Sequence, residues 1–496
     1  MSRSSFLLRL SAILALCVLF TAPMSTAFGQ YNNNSNNNNN NSNNRNNNNS
    51  NNNNNNRNNN NSNNNNSNSS SSTYGSGVVV DVDGVLQRVV LDDGALALAR
   101  SAANSAIPSE MSAPSKLRKV SLTRLEAQIK ENGGVVTDEM ANLAGLTRIE
   151  NVFVYPETGD VVVAGPAEGW KVGPEGATVG AKSGRPTLQL QDLVVALRAY
   201  PAEGKGAALV GCSIDPTEDG LRNMQAYLNT ASKPNVASDE ECVEYAYGIR
   251  DALGLQNVTV WGVSPKTNFA ATLVAADYRM KLIGIGLEEA PVKLTTYVDK
   301  SNPARRSSNA LVRWFFQPNY DCVVETEDGN AMQLVGNGVN LVGEDELVGA
   351  DGKRSADKGK GNPATRAYAK SFTAKFESIA DRVPVYANLR NLIDMTIVAA
   401  YLQKENVYEK ANWALDFFSD ESKYQTENLN AVQFAETAVN TIRRGANLVS
   451  YPTGGGVSIE PQIALEQTRV KYDDNGKIEE KRAESQNSDS SAWWWD

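Results

Sequence analysis

Between residues 31 and 72 the chain is almost pure asparagine, broken by serines and by Arg45 and Arg57. With almost no apolar side chain to bury, such a tract cannot offset the entropy of ordering, and it is expected to be disordered. Stacked amide ladders are the alternative for an Asn run, but here the serines and arginines interrupt them. Whatever folds must therefore lie beyond the tract, which reads as a spacer over residues 30–76.

The residues ahead of the spacer look like an export signal. Arg3 and Arg9 precede an apolar run from Leu10 to Phe20, and Ala27-Phe28-Gly29 places small residues where a signal peptidase reads, so 1–29 is expected to be removed. The apolar run is short for a membrane span and no later stretch is longer, so no transmembrane span is expected in the mature chain. Loss of the two signal arginines takes the formal charge from −9 to −11. An acidic balance disfavours binding to nucleic acid, which needs a basic face, and docking on anionic lipid. The expected location is secreted: periplasm, cell surface or extracellular space.

The sequence contains no histidine. Ser-His-Asp and Cys-His catalysis and His-ligated metals are thereby excluded. Carboxylate, Lys, Tyr, Ser or Cys chemistry remains, with oxygen-ligated Mg2+ or Ca2+. Beyond the signal lie Cys212, Cys242 and Cys322. Export permits a disulfide, and Cys212 with Cys242 is the nearest pair; three buried thiols are the competing reading.

From about Gly77 the composition becomes globular, and a mixed α/β (α+β) fold is expected. Residues 77–205 read as an N-terminal α+β domain. It opens with "VVVDVDGVLQRVVL" and "GALALARSAA", Ser121 then caps a helix stopped by Gly133-Gly134, and "IENVFVYPETGDVVVAGP" forms a hairpin. Residues 206–350 alternate strand and helix, and then "LVRWFFQPNYDCVVETEDGNAMQLVGNGVNLVG" reads as an antiparallel meander. Residues 364–470 begin with helices over 365–382, 385–404 and 408–418, then strands around a turn in "YPTGGGVSIEP". Residues 471–496 are polar and expected to be disordered, ending in Trp493-Trp494-Trp495.

One motif proposes chemistry. "VVVDVDGVL" resembles the nucleophile strand of haloacid-dehalogenase-type phosphatases, in which Asp81 would attack phosphorus and Asp83 act as acid/base beside Mg2+. Ser213 or Ser264, Lys266 or Lys281, and Glu344, Asp345 or Asp351 could supply the remaining parts. Against this, Asp83-Gly84 between alternating apolar runs is a hairpin signal, and a hairpin would not put Asp81 at the end of a central parallel strand. "EDELVGADG" lacks EF-hand spacing, and "PTGGGV" lacks the Lys-Ser/Thr ending of a phosphate loop. No cofactor or metal is therefore assigned. Trp314, Phe315 and Phe316 are consecutive on an expected strand, so alternate rings should face opposite sides. Trp493, Trp494 and Trp495 are candidates for insertion into a partner.

The runs "YPETGDVVVAGPAEGW", "GCSIDPT", "AADYRMKLIGIGLE", "RWFFQPNYDC", "PVYANLRNLIDM" and "PTGGGVSIEP" resemble an uncharacterised family of secreted proteins from planctomycete bacteria. The resemblance covers about residues 150–461. It implies export and a shared multi-part fold, and it carries no activity or site residue. The reading that results is an exported, non-enzymatic scaffold on an Asn-rich spacer that binds an unidentified envelope or extracellular partner. A Mg2+-dependent phosphohydrolase using Asp81 is the alternative.

Overall fold

The computed structural model describes residues 72–74, 78–81, 83–88, 110–173, 177–231, 239–302, 310–356, 362–444, 447–450, 452–487, 489 and 491–496. The segment read as an export signal, most of the stretch read as a spacer, and "GALALARSAA" lie outside them. The fold is mixed α/β, as the alternation of strand and helix patterns predicts.

A ten-stranded sheet forms the centre. Its order is Ser72–Tyr74, Val78–Val80, Val85–Arg88, Phe434–Ala435, Gln256–Trp261, Val210–Asp215, Thr453–Ile459, Ala310–Pro318, Val339–Val348 and Arg354–Ala356. Two pairs are parallel, Val85–Arg88 with Phe434–Ala435 and Ala310–Pro318 with Thr453–Ile459; the others are antiparallel. A seven-stranded sheet runs Lys471–Tyr472, Val323–Glu325, Ala331–Leu334, Asn151–Tyr155, Asp160–Ala167, Ser115–Ser121 and Trp494–Trp495. Both sheets thus draw neighbours from distant parts of the chain. The consecutive segments 77–205, 206–350 and 364–470 are not separate bodies, and residues from Ser67 onward form one compact unit.

Helix Asn268–Gly284 lies on one face of the large sheet. Its residues from Phe269 to Gly284 are buried except Arg279, and the small side chains of Ala270, Ala271, Ala275 and Ala276 let it sit close. Helices Pro363–Ala380 and Pro384–Lys404 complete this layer; Phe372 and Phe376 of the first pack edge-on to Phe316 at 5.5 and 6.4 Å. On the other face Leu221, Met224, Tyr245, Ile249 and Leu253, from helices Glu218–Thr230 and Asp239–Leu253, cluster with Leu311 and Val348. Strand alternation assigns the aromatic triplet as expected: Trp314 and Phe316 are buried under the first helix layer, and Phe315 turns away beneath the Arg313 guanidinium, 4.7 Å from its ring. Among the described residues no helix is long and apolar enough to cross a membrane.

Several expectations are corrected. The spacer expected to reach residue 76 already contains a strand, because Ser72–Tyr74 pairs with Val78–Val80. The meander is split: Ala310–Pro318 and Val339–Val348 pair directly, and the intervening hairpin Val323–Leu334 joins the other sheet. The third helix shrinks to Val407–Lys410, with Asn406, Asn412 and Leu415 at positive φ.

The run "TGGG" is no turn but the start of a central strand, Thr453–Ile459. Glycine is required because the backbones are pinched there. A Cβ on Gly455, whose φ is +122°, would stand 1.9 Å from the Trp314 carbonyl oxygen, and one on Gly456 1.9 Å from that of Cys212.

The described residues of the tail are ordered, against the disorder expected over 471–496. Helix Lys477–Ser485 and strand Trp494–Trp495 fold back, and the strand pairs antiparallel with Ser115–Ser121. Arg118 stands 5.0 Å from the Trp494 ring centre and Arg124 5.4 Å from that of Trp495. A polar tail is held here by backbone pairing and guanidinium–indole contacts, neither of which registers as hydrophobic periodicity.

Candidate functional site

Asp81 sits in a hairpin whose strands Val78–Val80 and Val85–Arg88 pair antiparallel, Val80 opposite Leu86. The turn differs from the two-residue kind. The Gly84 N–H donates to the Asp81 carbonyl at 3.1 Å, and the Asp81 N–H to that of Val85 at 3.1 Å. Gly84 takes φ +77°, the left-handed position of a three-residue loop. The Asp81 carboxylate is engaged by its own hairpin. Oδ1 accepts the N–H groups of Asp83 and Val85 at 3.0 and 2.9 Å, and Oδ2 accepts Gln87 Nε2 at 3.2 Å. Two strands, Phe434–Ala435 and Gln256–Trp261, separate this hairpin from the strand carrying Ser213.

The other phosphatase parts are dispersed. Ser213 is 5% exposed in mid-sheet. The Ser264 carbonyl caps a turn by accepting Thr267 Oγ1 at 2.8 Å, and the Lys266 carbonyl accepts the Leu429 N–H at 2.8 Å. Asp345 accepts Thr365 Oγ1 at 2.8 Å and the Asn362 N–H, and so fixes the start of helix Pro363–Ala380. Asp351 accepts the Lys353 N–H at 3.2 Å in an exposed turn, and Glu344 lies on strand Val339–Val348. None of these groups converges on Asp81. Among the described residues no group of three or more Cys, Asp or Glu is arranged to hold a metal ion.

Lys281 is central and buried. Its Nζ donates to Asp277 Oδ2 at 2.7 Å and to the carbonyls of Ile214 and Gly455 at 3.1 and 3.2 Å. All three ammonium donors are thus used, and they tie the helix to the two pinched strands. Asp277 is fully buried, and burial pushes its carboxyl up to about 6 against the pull of Lys281. Burial and the Asp277 charge also push the neighbouring Cys212 thiol well above its ordinary value.

On the opposite face Asp215, at the end of its strand, anchors a network. Arg313 Nη2 meets Asp215 Oδ2 at 3.0 Å and Arg313 Nη1 meets Glu346 Oε1 at 3.1 Å, while Arg354 Nη1 meets Asp215 Oδ1 at 3.1 Å. Burial works upward on the Asp215 carboxyl, but the charges of Arg313, Lys281 and Arg354 outweigh it and hold the carboxyl below the usual range.

Sequence reading singles out Lys281 only as a possible phosphatase cation and misses its partner Asp277, the Asp215 network, and Arg390 with Asp394. Asp277 with Lys281, and Arg390 with Asp394, are charged side chains four apart inside the most apolar helices. That conjunction is the signal that marks them.

Cys212, Cys242 and Cys322 are free and buried. Of the two readings open at the sequence level, a Cys212–Cys242 bridge or three buried thiols, the structure has the second. Cys212 belongs to the core under helix Asn268–Gly284, and Cys242 is on a helix of the other face. Trp493 and Trp494 pack on the main core and Trp495 on the small sheet, with its Nε1 donating to the Ser485 carbonyl at 2.9 Å. The terminal rings therefore serve the protein's own sheet edge. The surface carries shallow depressions, one of about 480 Å³ lined by Asp328, Tyr472, Asp473, Asp474 and Glu479. Asp473 is engaged there, its Oδ2 accepting the Ile478 N–H at 2.7 Å.

Residues 212–297 match a protein family of unknown function (DUF1598), a narrower stretch than the 150–461 expected from the sequence. The match includes Cys212, Asp215, Asp277 and Lys281. Neither a curated protein nor a solved structure matches the chain.

Proposed function

We propose that this chain is an exported scaffold that binds a component of the cell envelope or extracellular space and performs no chemistry of its own. The observation that carries the reading is how the charged candidates are engaged: the Asp81 carboxylate closes its own turn and all three Lys281 donors hold backbone and Asp277. A nucleophile or general acid needs a group free to meet substrate. The apolar leader and small-residue cleavage pattern support export, and the resemblance to secreted planctomycete proteins agrees with it. In this reading the Asn-rich tract spaces the folded unit from its point of export.

Fractionation of a bacterial host making the full chain tests the reading. The expected outcome is protein beginning at Gln30 in the periplasm, envelope or medium, and cytoplasmic retention when residues 1–29 are deleted. Full chain left uncleaved in the cytoplasm would overturn it.

A further inference from the structure

Helix Pro384–Lys404 carries Arg390, which is 3% exposed, and Asp394, which is 1% exposed. Arg148 reaches Asp394 from the loop before strand Asn151–Tyr155, its Nε 3.1 Å from Oδ2. Among the described residues Arg390 has no carboxylate within ion-pair distance, and its Nε is buried without a hydrogen-bond partner. Arg148 Nη2 is buried without a partner as well.

These side chains converge on one loop glycine. A Cβ added to Gly338 would lie 3.1 Å from Arg390 Cγ, 3.3 Å from Asp394 Oδ1 and 3.5 Å from Arg148 Nη2. The absence of a side chain at Gly338 is what lets all three approach.

The charges do not balance. Two guanidiniums share one close carboxylate, and arginine does not deprotonate to relieve the excess. Asp381 acts on Arg390 from farther off, but it is engaged by Arg185 at 2.8 Å. Glu150 acts on Arg148 from farther off too. The neighbouring Cys322 thiol, pushed up to about 12 chiefly by burial, supplies no negative charge at neutral pH. A buried cation without a partner is strongly unfavourable, and a forked guanidinium is best satisfied by an acceptor with two or more oxygens.

We propose that Arg148 and Arg390 form a binding site for a small oxyanion, a carboxylate, sulfate or phosphate group, reached past the partly exposed Arg148 side chain. Arg390 Nε and Arg148 Nη2 are closed to solvent by the Gly338 loop, so the anion would accept from them once that loop shifts to admit it, and would then cancel the excess charge. Asp394 is a positioning residue that holds Arg148 in place. This site is independent of the scaffold reading and would stand if that reading fell.

The test is calorimetric titration and thermal unfolding of the full chain with sodium acetate, sulfate and phosphate, each against sodium chloride at matched ionic strength. Wild type should show saturable binding and a saturable rise in Tm with at least one of the three. Arg390→Lys, which keeps the charge and loses the fork, should bind at least tenfold more weakly. Arg390→Met should lose the response and be at least as stable as wild type in chloride alone. Arg185→Met, at a half-buried position whose guanidinium pairs with Asp381, should keep the response. A wild-type shift no different from that in chloride would overturn the proposal. An anion response of unchanged strength in Arg390→Lys would overturn it equally.

Discussion

Arg118 and Asp496, 378 positions apart, form a forked ion pair with Nε 2.9 Å from Oδ1 and Nη2 2.9 Å from Oδ2. The guanidinium is fully buried and also donates to the carbonyls of Met111, Ala113 and Ala144. Asp496 is its only carboxylate among the described residues. Removing that carboxylate strands a buried charge, at a cost softened by the exposure of Asp496. Asp496→Ala should therefore lose about 1–3 kcal/mol in denaturant unfolding. An unchanged midpoint would show that the tail does not dock in solution.

Gly455 gives a steeper prediction. Its φ is +122°, and a Cβ there would meet the Trp314 carbonyl oxygen at 1.9 Å, so there is no room for even one methyl. Gly455→Ala should cost more than about 3 kcal/mol or prevent folding. Gly254→Ala, at φ +66° with open space around it, should cost about 1 kcal/mol. Equal losses in the two variants would contradict the pinched geometry.

Much of the local structure is legible in the sequence. The Ser121 cap accepts the Arg124 N–H as expected, and Val152 and Val163 pair in the expected hairpin. These signals come from residues a few positions apart. Sheet order is a different matter, because alternation tells which face a strand buries and says nothing of its neighbour. Nothing near Thr453 announces that it lies opposite Val312. The candidate site is ambiguous for a related reason: Asp-x-Asp-Gly is a local pattern, and in isolation a turn and a nucleophile look alike. The charged groups that matter are hidden in helices whose pattern reads as apolar.

Stability should fall between pH 4 and pH 7. Asp192 is buried, and burial pushes its carboxyl from 3.8 up to about 7 despite Asn268 Nδ2 donating to both of its oxygens. An acid whose folded pKa is raised contributes stability that is complete below its unfolded pKa and is lost as pH rises through the folded one. Asp277, raised to about 6, adds a loss of the same sign. Asp192→Asn should flatten the pH profile and raise stability at pH 8 by about 2–4 kcal/mol relative to its effect at pH 4. A profile that rises from pH 4 to pH 7 equally in wild type and variant would refute this.

Thiol chemistry tests the cysteine assignment. Cys212, Cys242 and Cys322 are buried and unpaired, so a native chain beginning at Gln30 should react slowly with a thiol reagent and the denatured chain should release all of them. A denatured chain with only one reactive thiol would mean that two of them pair after all.

The most direct test of the central claim concerns Asp81. Wild type and Asp81→Asn should be assayed side by side with a generic phosphate ester and Mg2+, and their thermal unfolding compared. Asn retains Oδ1 for the turn, so the account predicts no turnover in either protein and a stability change within about 1 kcal/mol. Turnover in wild type that disappears in Asp81→Asn, with the fold intact, would contradict it.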